Sequence, residues 1–151
     1  MNQADLPAAR HRRLLHPGLV AGGSALLMAA FVSDLLYWQT LLFQYNNFSG
    51  WLLTGGLLLA LLGAIAFVLD LVLGRIGRVA WPRFAALAVA ALLGVLNAFV
   101  HSRDAYTAVV PEGITLSAVV TVILLVVGLS GGWSLANPHL VRLQPNRDVR
   151  P

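Results

Sequence analysis

One carboxylic acid lies inside a long apolar stretch of the sequence. Asp34 falls within residues 18–43, a run otherwise made of apolar or small residues apart from Gln39 and Thr40 near its end. If this run is a helix that crosses a bilayer, Asp34 lies about 13 Å from the helix end. An ionisable group at that depth costs about 2.5 to 3.5 kcal/mol, so it should face other helices and bond polar groups there.

The other apolar runs offer polar partners at a similar depth. We predict that Asp34 forms a hydrogen bond with Asn97, with His101 one turn nearer the end of the same run. Polar residues of the remaining runs would complete this layer: Thr54, Ser117 or Thr121. Such a layer is either a proton or ligand site or an interhelical contact worth about 0.6 kcal/mol. We favour the contact, since no charged partner of Asp34 is evident at this depth.

A second acidic residue falls near the end of its apolar run. Asp70 precedes Gly74, a plausible helix stop, by one helical turn. Arg75 and Arg78 follow, and His16 arrives at the same level from the start of the first run. Because charged side chains at helix ends commonly reach the interface and pair there, we predict ion pairing at the cytoplasmic interface rather than catalysis.

Four membrane-spanning helices are needed to position these residues. The chain is 58% hydrophobic and 11% charged, against about 25% charged residues in a soluble domain. In lipid, apolar runs must satisfy their backbone amides internally, and these runs lack the alternation of barrel strands. The sequence therefore predicts an all-α integral membrane four-helix bundle over residues 17–133. A tail of residues 1–16 precedes it and a tail of residues 134–151 follows it. The four helices are predicted at about 18–43, 49–74, 82–101 and 114–133.

The positions of the arginines predict the orientation of the bundle in the membrane. All ten basic residues are arginine. One of them, Arg103, lies in the third connection beside Asp104 and Glu112. The other nine fall in the two tails and around the second connection: Arg10, Arg12, Arg13, Arg75, Arg78, Arg83, Arg142, Arg147 and Arg150. The positive-inside rule therefore predicts a multi-pass inner-membrane protein with both termini in the cytoplasm.

Small residues recur on one face of two helices. Gly56 and Gly63 are one heptad apart in the second run, and the third carries a stripe of Ala86, Ala90, Gly94 and Ala98. Such stripes let helices approach closely in lipid. We expect tight packing, and we expect the chain to be a structural or accessory subunit of a larger membrane complex, or else a homo-oligomer.

Other functional classes have little support. The sequence has no cysteine, no P-loop, no nucleophile elbow and no metal-ligand spacing, and its dispersed arginines argue against nucleic-acid binding. We expect no cofactor. Haem b is an alternative, but it needs two histidines at one depth, and only His16 and His139 share a side, far from His101. A second alternative is conduction of protons or small solutes through the Asp34 and Asn97 layer.

Short motifs along most of the chain resemble a known family. The sequence reads Leu-His-Pro at residues 15–17 and Phe-Val-Ser-Asp-Leu-Leu-Tyr-Trp-Gln-Thr at 31–40. Further motifs are Gly-Ala-Ile-Ala-Phe-Val-Leu-Asp at 63–70, Ala-Val-Val-Pro-Glu-Gly at 108–113 and Gly-Leu-Ser-Gly-Gly-Trp at 128–133. In order and spacing they resemble the bacterial membrane family named domain of unknown function 2231. The resemblance implies a four-helix inner-membrane protein without an established activity. Family members often carry a histidine early in the third helix, where this chain has Phe84.

Overall fold

The computed structural model describes residues 14–76, 78–103 and 109–136 and consists of four helices. They are α1, His16–Thr40; α2, Phe43–Val72; α3, Trp81–His101; and α4, Glu112–Leu129. Each is long and apolar enough to cross a membrane. No strand is present in the described ranges, where a single isolated bridge joins Val79 to Ala136. The predicted all-α, four-helix membrane fold is confirmed.

Helix boundaries differ from the prediction at the first connection. The sequence suggested a loop over residues 44–48, but α2 begins at Phe43 and includes this polar segment. Leu41 takes a left-handed conformation, φ 55°, and donates its backbone N–H to Tyr37 O. This cap ends α1 at Thr40, so two residues suffice to reverse the chain.

The end of α4 also comes earlier than predicted. Helix α4 stops at Leu129 rather than near Trp133, because Gly131 and Gly132 adopt φ values of 135° and 78° that only glycine takes readily. The chain then turns back, and the Trp133 indole covers Gly128. Residues 134–136, which we expected to belong to a cytoplasmic tail, pack against the bundle end.

The helices form a ring in which each packs against two neighbours. Helix α1 contacts α2 and α4, and α3 contacts the same two helices. The α1–α2 interface is the most extensive and the α2–α3 interface the least. Short connections between successive helices are those of an up-down-up-down bundle.

Glycines bring the backbones of α1 and α2 together. A Cβ atom on Gly23 would lie 3.0 Å from the Gly56 carbonyl oxygen, and one on Gly56 would lie 2.8 Å from Cγ of Leu27. On α3, Gly94 receives the Leu57 side chain of α2. The small-residue stripes therefore serve packing within this chain.

One apolar layer draws on all four helices. Its buried members are Leu27, Ala30, Leu53, Ala90, Val120 and Leu124. Large apolar side chains on the outside of the bundle remain exposed, for example Leu58 at 57%, Phe99 at 70% and Val126 at 61%. So much outward apolar surface is what a lipid-facing bundle presents.

Replacing Gly23 by alanine is expected to destabilise the bundle by about 1 to 3 kcal/mol, the range for overpacking a tight contact. The added methyl group would press on the backbone of α2. The check is thermal unfolding in detergent.

Gly18→Ala is the matched control on the same helix. A Cβ at Gly18 meets nothing within 4 Å, so this change should leave the melting temperature equal or higher. Equal melting of the two variants would contradict the close approach at Gly23.

Candidate functional site

Asp34 is fully buried and bonded by a side chain from each of the other three helices. Ser49 Oγ of α2 donates to Oδ1, and Ser117 Oγ of α4 donates to Oδ2. His101 of α3 places its Nε2 2.9 Å from Oδ1. We call Asp34, Ser49, Asn97, His101 and Ser117 the polar layer.

The polar layer lies nearer the bundle end than the sequence suggested. Asp34 is six residues before Thr40, the last residue of α1, which places it about 9 Å from the helix end rather than 13 Å. The difference arises because α1 ends three residues earlier than predicted.

Asn97 enters the polar layer through Ser117. Its Nδ2 donates to Ser117 Oγ at 2.7 Å, and Ser117 in turn donates to Asp34. The direct bond between Asn97 and Asp34 that we expected is thus replaced by a bond relayed through a hydroxyl group. The Asn97 Oδ1 atom is buried and has no partner within residues 14–76, 78–103 and 109–136.

Two threonines expected in the layer lie elsewhere. Thr54 is exposed and donates to Gly50 O within its own helix at 2.9 Å. Thr121 is one turn beyond Ser117, and its buried Oγ1 has no partner in the described part of the chain. Thr54 faces outward because the inner stripe of α2 is occupied by Ser49, Leu53 and Gly56.

The sequence reasoning missed Ser49. A signal for it existed, because Ser49 precedes Gly56 by seven residues and so continues the heptad of Gly56, Gly63 and Asp70. All four are buried along one side of α2. Assigning the polar segment before it to a loop hid this continuation.

The hydrogen bonds of His101 fix where its protons lie. Nδ1 is 3.0 Å from the Asn97 carbonyl oxygen, an acceptor, so Nδ1 carries a hydrogen. Nε2 faces Asp34 Oδ1, so a proton must also lie between these two atoms, whether the pair is ionic or neutral. Without it, a nitrogen lone pair would face a carboxylate at 2.9 Å.

A neighbouring hydroxyl group can accommodate loss of that proton. Ser49 Oγ lies 3.3 Å from His101 Nε2 while it donates to Asp34. Because a serine hydroxyl rotates freely to suit its partners, Ser49 can turn its hydrogen toward Nε2 once the shared proton has left. In that arrangement Nε2 has a donor from Ser49, and Asp34 keeps the hydrogen bond from Ser117.

A second histidine–aspartate pair lies at the opposite end of the bundle. His16 Nδ1 is 2.8 Å from Asp70 Oδ2, and both side chains are fully buried. His16 Nε2 accepts the backbone N–H of Leu135 at 3.0 Å, so it carries no hydrogen and the imidazole is neutral. The Nδ1 hydrogen is donated to Asp70.

Asp70 anchors the start of α1. Its carboxylate accepts the backbone N–H of Leu15 at 2.8 Å and of His16 at 3.3 Å, which caps a helix end that lacks a local side-chain cap. Arg75 pairs with Asp70 at 3.3 Å, whereas Arg78 is exposed and makes no ion pair in the described ranges. All of its hydrogen-bond partners among the described residues are donors, so the pair has a fixed structural arrangement.

A haem iron bound by His16 or His101 would have to replace a hydrogen bond that the histidine ring already makes. Both ring nitrogens of His16 and of His101 already bond protein groups. The two residues belong to opposite ends of the bundle, and His139 lies outside the described residues. The two described histidines, His16 and His101, therefore do not form a bis-histidine haem site with each other.

Truncating Asp70 is expected to unfold the His16 end. Asp70→Ala would leave two backbone N–H groups and the His16 Nδ1–H without their acceptor, at a cost of about 1 to 3 kcal/mol for each buried donor left unsatisfied. Asp70→Asn, which keeps one acceptor oxygen, should lose less. The check is the melting temperature of both variants in detergent, and equal melting of wild type and Asp70→Ala would contradict this role.

Comparisons with known proteins identify a family for this chain. No curated protein and no solved structure was found to match the chain. A family model described as "Predicted membrane protein (DUF2231)" matches residues 12–145, which is most of the sequence. The chain therefore belongs to this family of membrane proteins, as its motifs suggested.

Proposed function

We propose that this membrane protein binds and releases one proton at the Asp34–His101 pair. The observation that carries the proposal is the set of His101 partners: a carbonyl oxygen on Nδ1 and a carboxylate on Nε2. This arrangement needs a proton in the Nε2–Oδ1 contact. Imidazole is the side chain best suited to exchange a proton near neutral pH.

The other histidine pair gives an internal contrast. His16 has a donor on Nε2 and a carboxylate on Nδ1, so its two bonds are satisfied by a neutral ring. Its partner Asp70 is balanced by Arg75. In the described part of the chain the Asp34–His101 pair has no such cation, since Arg103 at the same end pairs with Glu112 of α4. Proton exchange is therefore assigned to one pair and structural anchoring to the other.

Within the described ranges, few other ionisable groups surround the polar layer. On α1 the buried Tyr37 lies one turn beyond Ser33 and packs beside Tyr45 of α2. Arg103 after α3 and Glu112 at the start of α4 are exposed and pair with each other. Among the described residues, the direct contacts of Asp34 are hydroxyl groups and His101.

Nitrogen NMR of the wild-type protein, labelled with 15N-histidine in nanodiscs, tests this assignment. Over the pH range in which the protein stays folded, His101 Nδ1 should stay protonated while the Nε2 signal changes. His16 should keep one protonated Nδ1 throughout and serves as the control. A His101 signal that is constant over this range would overturn the proposal.

Three variants, measured by the same NMR experiment, show whether the signal change comes from the Asp34–His101 pair. Asp34→Asn should abolish the paired change, because an amide cannot share a proton with Nε2 as a carboxyl group does. His101→Gln should remove the signal, and His16→Gln should leave the His101 titration as in the wild type. An unchanged His101 titration in Asp34→Asn would contradict the shared proton.

We also propose that the protein lies in the cytoplasmic membrane with both termini in the cytoplasm. Arg75, Arg78 and Arg83 gather at the His16 end, whereas Arg103 at the other end is neutralised by Glu112. This asymmetry supports a cytoplasmic His16 end under the positive-inside rule. The polar layer would then face the opposite side of the membrane.

Single cysteines test the orientation, since the natural sequence contains none. An impermeant thiol reagent applied to intact cells should label Asn47→Cys, which is exposed at the start of α2. Gly77→Cys, between α2 and α3, should react only after the cells are opened. Labelling of Gly77→Cys on intact cells would reverse the assignment.

A role as an accessory subunit stays a prediction. The small-residue stripes that suggested docking are occupied by contacts between the chain's own helices. A partner, or a second copy, would have to use the outward aliphatic faces instead. Co-purification after mild detergent extraction distinguishes a stable partner from a homo-oligomer.

A further inference from the structure

A groove at one end of the bundle reaches the polar layer. It lies between α2 and α3 and has a volume of about 840 Å³. Helix α2 contributes residues from Phe43 to Thr54, and α3 and its end contribute Ala98, His101, Ser102 and Arg103. Since one water molecule occupies about 30 Å³, the groove has room for many water molecules. Asn46, Asn47 and Ser102 give it polar walls.

His101 is the link between this groove and Asp34. The His101 side chain forms part of the wall and is 3% exposed, whereas Asp34 is fully buried behind it. Proton exchange between the groove and the carboxylate therefore passes through the imidazole.

The groove is closed toward the other end by one contact. On α2 the groove ends at Thr54, and on α3 it ends at Ala98. Next along both helices, Leu57 of α2 lies on Gly94 of α3, where a Cβ would be 3.1 Å from Leu57 Cδ2. This contact seals the least packed interface of the bundle directly below the groove.

Beyond the seal the interior is mostly apolar. The layer of Leu27, Ala30, Leu53, Ala90, Val120 and Leu124 fills the centre of the bundle. A cavity of about 190 Å³ follows, to which all four helices contribute; its lining is apolar, for example Ala60, Phe67, Phe84 and Leu87, except for Ser24. Apolar cavities of this kind stay dry, so they provide no chain of hydrogen bonds for a proton.

We infer that the Asp34–His101 proton exchanges with one aqueous side only, through the groove between α2 and α3. The inference rests on the proposed proton binding and adds the side of the membrane from which the proton enters and leaves. About 27 Å of helix separates Asp34 from His16 at the opposite end. A single chain thus binds a proton from one side without passing it across the membrane.

Labelled cysteines in the groove test the route, because the chain has no cysteine of its own. In Gly50→Cys the new side chain has open space, since a Cβ there meets nothing within 4 Å. Gly18→Cys on α1 has equal space at the opposite end. Both variants are placed in nanodiscs, where each face of the bundle meets the same buffer, and are modified with a charged methanethiosulfonate.

The measurement is the rate at which the His101 pair takes up a proton after a pH jump, followed by its infrared bands. Modified Gly50→Cys should react at least about tenfold more slowly than its unmodified form, the effect of about 1.4 kcal/mol on the barrier. Modified Gly18→Cys should keep the wild-type rate. Asn47→Cys, a second position in the groove wall, provides the same test should Gly50→Cys fold poorly.

The outcomes separate the two proposals. Slowing at Gly50 or Asn47 but not at Gly18 supports one-sided exchange. Wild-type rates in every modified variant would overturn the route while leaving proton binding intact. Slowing at Gly18 would show access from the His16 end and overturn one-sidedness. A wild-type pair that takes up no proton would overturn proton binding itself.

Discussion

A carboxyl group removed from water must be satisfied by neighbouring side chains, and this constraint organises one half of the molecule. Asp34 meets it with Ser49, His101 and Ser117, one from each remaining helix. These three bonds set the rotation and depth of all four helices relative to one another. A change that rotates any helix leaves a polar group in an apolar environment, which costs several kcal/mol. The same contacts that fix the register of the bundle also hold a proton.

The bundle combines one very close interface with one loose interface. Helices α1 and α2 meet through Gly23 and Gly56 with backbones in contact, so they form a rigid hairpin. Helices α2 and α3 share few contacts and leave a groove at one end and an apolar cavity at the other. Because the groove follows the loose interface, the polar layer gains access to water without weakening the hairpin that carries Asp34 and Ser49.

Much of the fold follows from sequence patterns, but the partners of the site do not. Composition and the length of the apolar runs are enough to predict four helices. In lipid, the backbone amides of such runs must form hydrogen bonds within the same segment, as they do in a helix. Depth counting proposed Asp34, Asn97, His101 and Thr54 for the layer and left Ser117 and Thr121 as alternatives; Ser117 bonds Asp34, whereas Thr54 is exposed. It could not tell that Asp34 would meet His101 directly, because helix rotation and the early end of α1 decide that contact. Thr54 and Ser49 show the same limit: five residues apart on one helix, they lie on different faces.

The short segment after α4 closes the chain on itself. Leu135 donates to His16 across 119 residues of sequence, and Arg83 holds the same segment through the carbonyl oxygens of Ser130 and Ser134. The segment that follows α4 thereby completes the surroundings of His16, the first residue of α1. During synthesis, α1 and α2 can pair as soon as both have entered the bilayer, but the His16 ring gains the Leu135 N–H only after α4 has been inserted. Assembly of that end is thus coupled to insertion of α4, and a chain truncated before Leu135 would lack this hydrogen bond.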